Sequence, residues 1–128
     1  VNDPRGLAPA GWHIPNDQEW TTLTKSLGGE NVAGGKLKST GTIEGSDGLW
    51  HSINFSATNE RGFSALPGGW RSYSNGTFDN IGYYGGWWTS SAEDPSLVWF
   101  RGLKHNYASV LRYSYFKNYG FSVRCIKD

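Results

Sequence analysis

The chain has 128 residues and a formal net charge of +1, from 12 Lys and Arg against 11 Asp and Glu scattered along its length. That length suits one domain with a real core and is short for two, while the absence of any basic run argues against nucleic acid as a partner. No apolar stretch approaches the roughly 20 residues needed to cross a bilayer, so direct membrane insertion is not expected.

Residues 1–10 read as an N-terminal extension, and Val1 to Pro9 lack the basic-then-apolar pattern of a signal peptide. A helix is expected from Asn16, which forms an N-x-x-E capping box with Glu19. Trp20, Leu23 and Leu27 continue it as one apolar stripe until Gly28-Gly29 end it. A second, shorter helix is predicted over Val32 to Ser39, with Val32, Ala33, Leu37 and Gly34-Gly35 packing closely on a neighbour. Gly41 to Asn59 is rich in turn-forming residues and reads as a long loop anchored by Leu49, Trp50, Ile53 and Phe55.

Beyond the loop the period becomes extended. Phe63 and Ala65 suggest a short strand closing at Pro67-Gly68-Gly69, followed by Trp70 to Tyr73 and a turn at Ser74-Asn75-Gly76. Further strands are expected at Trp87 to Ser91, Leu97 to Lys104, Ser109 to Phe116 and Phe121 to Ile126. Gly85-Gly86, Asp94-Pro95, His105-Asn106 and Asn118-Tyr119-Gly120 would separate them. Two helices followed by a strand meander give an α+β domain with a short-stranded antiparallel sheet and long loops.

The 18 glycines point to many turns and close approaches, and the seven Trp and seven Tyr exceed what so small a core hides. Trp12, Trp20, Trp87, Trp88 and Trp99 are assigned to the core, so other rings should mark a surface site. Cys125 is the sole cysteine, which excludes an internal disulfide and a cysteine-based zinc cluster.

Seven ordered segments carry a family likeness: Gly11 to Pro15, Glu19-Trp20, Gly34 to Lys38, Ala57 to Glu60, Gly62 to Gly69, Trp87 to Ser91 and Gly120 to Cys125. From about Gly11 to Asp128 the chain resembles the Fibrobacter succinogenes major paralogous domain. The resemblance implies a C-type lectin-like fold over residues 1–128 and a bacterial, extracytoplasmic location, cell-surface or lipid-anchored through an upstream segment. It further implies an adhesin- or receptor-type binding role, in a group that includes variable proteins diversified by retroelements. Members often carry a cysteine two residues before the Ala-Gly-Trp segment, able to pair with the C-terminal one. Here that position is Ala8, so Cys125 is expected to be an unpaired, buried thiol.

Against the family pattern, Trp99, Arg101, Leu103, Val110, Arg112 and Lys117 match its framework, whereas the interleaved residues fall in its varying slots. Alternation along a strand would put Phe100, Gly102 and Lys104 on the outer face, with Leu111, Tyr113 and Tyr115 likewise. The expected ligand-binding residues are Phe100, Lys104, Asn106, Tyr107, Ser109, Leu111, Tyr113, Tyr115, Phe116 and Tyr119, joined by Tyr73, Tyr83 and Tyr84 from neighbouring loops. Glu93 and Asp94 would extend the face. Tyr, Ser and Asn suit adaptable recognition of a protein or a glycan.

No catalytic residue and no cofactor is expected. Asp79 with Asn80, or Glu93 with Asp94, offers oxygen atoms to calcium, but neither pair lies in a calcium-loop motif. Neither His13 nor His51 has the spacing of a base for Cys125, and the carboxylates include no obvious pair for glycoside hydrolysis, with Asp47 and Glu60 left open as one. Two alternatives stay open. One is a formylglycine-generating enzyme relative, although that activity uses a cysteine pair; the other is a structural module of a fibre or pilus tip.

Overall fold

A computed structural model describes residues 6–128; the first half of the expected N-terminal extension, residues 1–5, lies outside the described residues. The elements run β1 (Trp12–His13), α1 (Asp17–Ser26), α2 (Glu30–Leu37), β2 (Trp70–Arg71), β3 (Phe78–Asp79), β4 (Tyr84–Ala92), β5 (Leu97–Lys104), β6 (Leu111–Phe116) and β7 (Ile126–Lys127). The fold is thus α+β with antiparallel pairing throughout its strands: β4-β5-β6 form the main sheet, and β1-β7 and β2-β3 form two short ribbons.

The start of α1 follows from its capping box: Asn16 accepts from the Glu19 N–H at 2.9 Å and the Glu19 carboxylate accepts from the Asn16 N–H at 2.8 Å. Its end follows from Gly28, at φ +100°, where the chain reverses and the Gly29 N–H returns to the Thr24 carbonyl at 2.9 Å. Helix α2 starts two residues earlier than expected and carries glycine where a helix normally pays in stability. Backbone contact explains them. A Cβ on Gly34 would collide with the Ser109 carbonyl and one on Gly35 with the Ser56 carbonyl, and the Gly35 N–H donates to Ala108 at 2.9 Å. Ala33, Gly34, Gly35 and Leu37 are buried as anticipated, but Val32 is exposed.

Several strand boundaries differ from expectation. Gly85-Gly86 do not separate strands; they lie inside β4, where a side chain at Gly86 would meet the Phe121 ring at 2.6 Å. β6 begins at Leu111 because the preceding Val110 is docked on α2, its N–H donating to the Glu30 carbonyl at 2.7 Å. Phe63–Ala65 is a loop crossing with one parallel bridge from Ala65 to Lys38, bent by Ser64 at φ 53°. Most of Phe121–Ile126 is likewise irregular, bridging β4 at Ser122 before Ile126 and Lys127 pair with β1.

The core comprises Trp20, Leu27, Ala33, Leu37, Trp50, Ala65, Trp87, Leu103 and Val110. Trp50 was expected to pin a loop, yet it is wholly buried with its indole N–H on the Ala65 carbonyl at 3.0 Å; an indole so placed contributes about 4–6 kcal/mol through apolar burial. Leu49, Ile53 and Phe55 are exposed, so Trp50 is the one of these four apolar residues that anchors the loop by burial. Of the tryptophans assigned to the core, Trp20 and Trp87 are buried, Trp88 and Trp99 are half-buried, and Trp12 is 44% exposed on the short β1-β7 ribbon. Cys125 is free and half-buried rather than buried.

Candidate binding face

The two faces of β4-β5-β6 have different jobs. Pairing of Trp87 with Arg101 and of Arg101 with Arg112 sets these residues on the face turned to α1. Arg101 is wholly buried, its guanidinium on the Asp17 carboxylate at 3.0 Å, the Asp17 carbonyl at 3.0 Å and the Thr21 hydroxyl at 2.9 Å. Arg112 reaches the same carboxylate at 2.9 Å and lies 3.8 Å from the Trp99 ring centre. One aspartate at the start of a helix therefore locks two adjacent strands.

The opposite face carries Trp88 beside Phe100 and Phe100 beside Tyr113, with Gly102 between Gly86 and Leu111. A cleft of about 430 Å³ opens here. Of the expected residues, Tyr83, Tyr84, Phe100, Lys104, Asn106, Leu111, Tyr113, Tyr115 and Tyr119 line it. Tyr73 and Phe116 line an adjoining groove of about 310 Å³ that shares Tyr115 and Tyr119 with the cleft. Tyr107 stands exposed beside it, with the Lys104 ammonium 5.4 Å from its ring centre. Ser109 lines neither, because its backbone is pressed on Gly34.

Two expected contact residues turn out to be the floor. Phe100 shares the outer face as alternation requires but is only 3% exposed, since Phe121 stacks on it at 4.7 Å and Tyr115 stands edge-on at 5.8 Å. Tyr84 is 8% exposed, its ring lying over the bare backbone of Gly102, and burial pushes its phenol pKa upward. Gly102 does not face solvent either: any side chain there would collide with the Tyr84 hydroxyl. By contrast Tyr113 is 57% exposed and Tyr115 39%.

Trp70, Asn80, His105 and Phe121 also line the cleft and were not singled out beforehand. Trp70 meets Tyr84 edge-on at 5.2 Å, and Tyr83 is flanked by His51 stacked at 4.0 Å and His105 at 5.2 Å. The Glu44 carboxylate accepts from His51 Nδ1 at 2.6 Å, a bond that fixes the imidazole against the Tyr83 ring, and its pKa is held down to about 2 by that bond first and then by backbone N–H groups, including that of Ser52. His105 Nδ1 lies 2.9 Å from the Ser52 carbonyl, so it is the protonated nitrogen and Nε2 is left as an acceptor in the neutral ring.

Below the end of β5, Lys38 is wholly buried and its ammonium donates to the carbonyls of Lys104 at 3.0 Å, His105 at 3.3 Å and Tyr107 at 3.0 Å. Three N–H donors thereby meet three acceptors. Burial pushes the Lys38 pKa down to about 8.

The carboxylate pairs weighed for other chemistry are occupied locally. Asp94 accepts from the N–H groups of Ser96 and Leu97 at 2.6 and 2.8 Å, closing the β4–β5 turn, and neither it nor Glu93 lines the cleft. Asp79 accepts from the Thr77 hydroxyl at 3.1 Å, Asp47 from the Thr42 N–H at 2.8 Å, and Glu60 pairs with Lys36 at 3.2 Å. Among the described residues no three His, Cys, Asp or Glu side chains gather to hold a metal ion.

Comparison with known families matches residues 1–127 to the Fibrobacter succinogenes major domain. Neither the curated proteins nor the solved structures contain a match.

Proposed function

Because the chain belongs to the Fibrobacter succinogenes major domain family, we propose that it is a non-catalytic binding module of a bacterial surface protein or lipoprotein, gripping a protein or glycan outside the cytoplasm. One observation carries this reading: Tyr83, Tyr113 and Tyr115 stand exposed around a cleft whose supporting sheet is locked from behind by Asp17 and Arg101. Exposed aromatic clusters of this size are uncommon on surfaces without a partner, and tyrosine offers large contact area for few torsions.

The antiparallel β1-β7 ribbon, which joins the two ends of the described chain, supports a C-type lectin-like arrangement, as do the two helices on a small sheet and the long loop between α2 and β2. Exposure of Tyr107, Tyr113, Tyr115 and Phe116 fits positions that tolerate exchange, as in retroelement-diversified proteins. A nearby DNA repeat differing from this coding segment only at adenines would support that; a genome without one counts against it. Cys125 is the sole cysteine, which disfavours formylglycine-type chemistry.

The test is simultaneous Ala substitution of Tyr107, Tyr113 and Tyr115, read against a screen of glycans and surface proteins. Binding should be lost while the melting temperature moves by no more than about 5 °C. A large fall in stability would show the three rings to be structural.

A further inference from the structure

We propose that the β5–β6 corner of the cleft is an anion subsite and that the ligand is a glycan presenting an acidic sugar, its carboxylate held by Lys104 and the Asn106 backbone. This rests on the cleft being the binding face and adds the chemistry of what enters it.

The charge comes first. Lys104 and His105 line the cleft, no carboxylate does, and Lys104 has no carboxylate within ion-pair distance among the described residues. Lys38 adds a second cation directly beneath the same turn, with carbonyl dipoles instead of a counter-ion. A buried cation without an opposite charge is screened poorly, so its field reaches the surface above it.

The backbone geometry agrees. The His105 carbonyl is turned inward, accepting from Lys38 at 3.3 Å and from the Phe55 N–H at 2.7 Å. In a trans peptide the N–H points opposite to the carbonyl of the same unit, so the Asn106 N–H points away from Lys38. It meets no acceptor among the described residues, and Asn106 itself lines the cleft. A backbone N–H beside a lysine ammonium is a suitable pair of donors for one carboxylate.

The remainder of the cleft favours a sugar over an acidic protein side chain. Its volume of about 430 Å³ falls in the range of small-ligand sites, typically about 300–1,000 Å³, whereas a stable protein interface spreads over about 800 Å² per partner. Asn80, Tyr83, Tyr113 and Tyr115 supply amide and phenol groups for sugar hydroxyls, and their rings supply apolar walls for a pyranose.

The experiment uses oligosaccharides ending in glucuronic or sialic acid, each beside its carboxyl-reduced counterpart, with affinities measured on the folded domain. The acidic form should bind at least tenfold more tightly. Lys104→Gln should erase the difference and Lys104→Arg restore most of it, with unchanged circular dichroism in both. Equal binding of the two forms, or discrimination that survives in Lys104→Gln, overturns the anion subsite. Capture of a Glu-rich peptide with no binding of either sugar overturns the glycan. Tyr113→Ala separates the premise from the proposal: undiminished sugar binding in that variant, with discrimination still dependent on Lys104, would sink the aromatic-face reading alone.

Discussion

The Asp17 carboxylate lies 3.0 Å from the Arg101 guanidinium, a side chain with no exposed surface, and the same carboxylate holds Arg112 at 2.9 Å. Removing one partner of a buried pair leaves the other charge uncompensated. Asp17→Ala is expected to cost about 3–5 kcal/mol in chemical denaturation. An effect below about 1 kcal/mol would mean that water or the Glu30 carboxylate, 4.0 Å away, already offsets the Arg101 charge.

Phe100 and Tyr113 are cross-strand neighbours on one face, yet one is floor and the other rim. Phe100→Ala should cost about 3–5 kcal/mol through cavity formation, and Tyr113→Ala less than about 1 kcal/mol. Thermal melts of the two variants decide it. Similar losses would erase the distinction between scaffold and display on this strand pair.

Lys38 is charged in both folded and unfolded chains at neutral pH, and its folded pKa of about 8 lies below the ordinary lysine value of 10.5. Between those values the unfolded chain binds more protons, so this residue's contribution to stability rises with pH. Wild type should therefore gain relative to Lys38→Met as pH climbs from 8 through 10.5. At neutral pH, Lys38→Met should speed amide exchange in residues 104–108, because the three carbonyls lose their common donor. Unaltered exchange there would contradict the tether.

His13 joins the two ends of the fold, with Nδ1 2.7 Å from Asp128 and Nε2 2.8 Å from Glu19. The Asp128 bond, then that to Glu19, raises its pKa above the ordinary 6.5. A raised folded value means that this link contributes below the unfolded pKa and fades as pH rises through the folded one. NMR titration should place the His13 midpoint above 6.5, and Asp128→Asn should lower it. A midpoint at or below 6.5 in wild type would rule out the clamp.

Where a signal was local, it was legible in the sequence. The Asn16–Glu19 box and Gly28 mark α1, and the alternation of Leu97 to Lys104 marks β5 with its two faces. What escaped depends on distant partners. Gly85-Gly86 look like a turn until the Leu66 carbonyl is seen to lie against the first and the Phe121 ring against the second, and Phe100 looks exposed until Phe121 stacks on it. Trp50 sits amid loop-like residues, and nothing near Lys38 in sequence announces a buried ammonium. Trp70, Asn80, His105 and Phe121 were missed for the same reason, since they come from four separate segments that only the folded chain gathers.

The hydrogen bonds of the Lys38 ammonium all go to main-chain oxygens, at residues 104, 105 and 107, and main-chain oxygens are common to all amino acids. Its grip is blind to which side chains the turn displays. The path of the turn and the side chains it displays are thereby set by different residues, so an exchange of side chain at these positions leaves the loop that presents them in place.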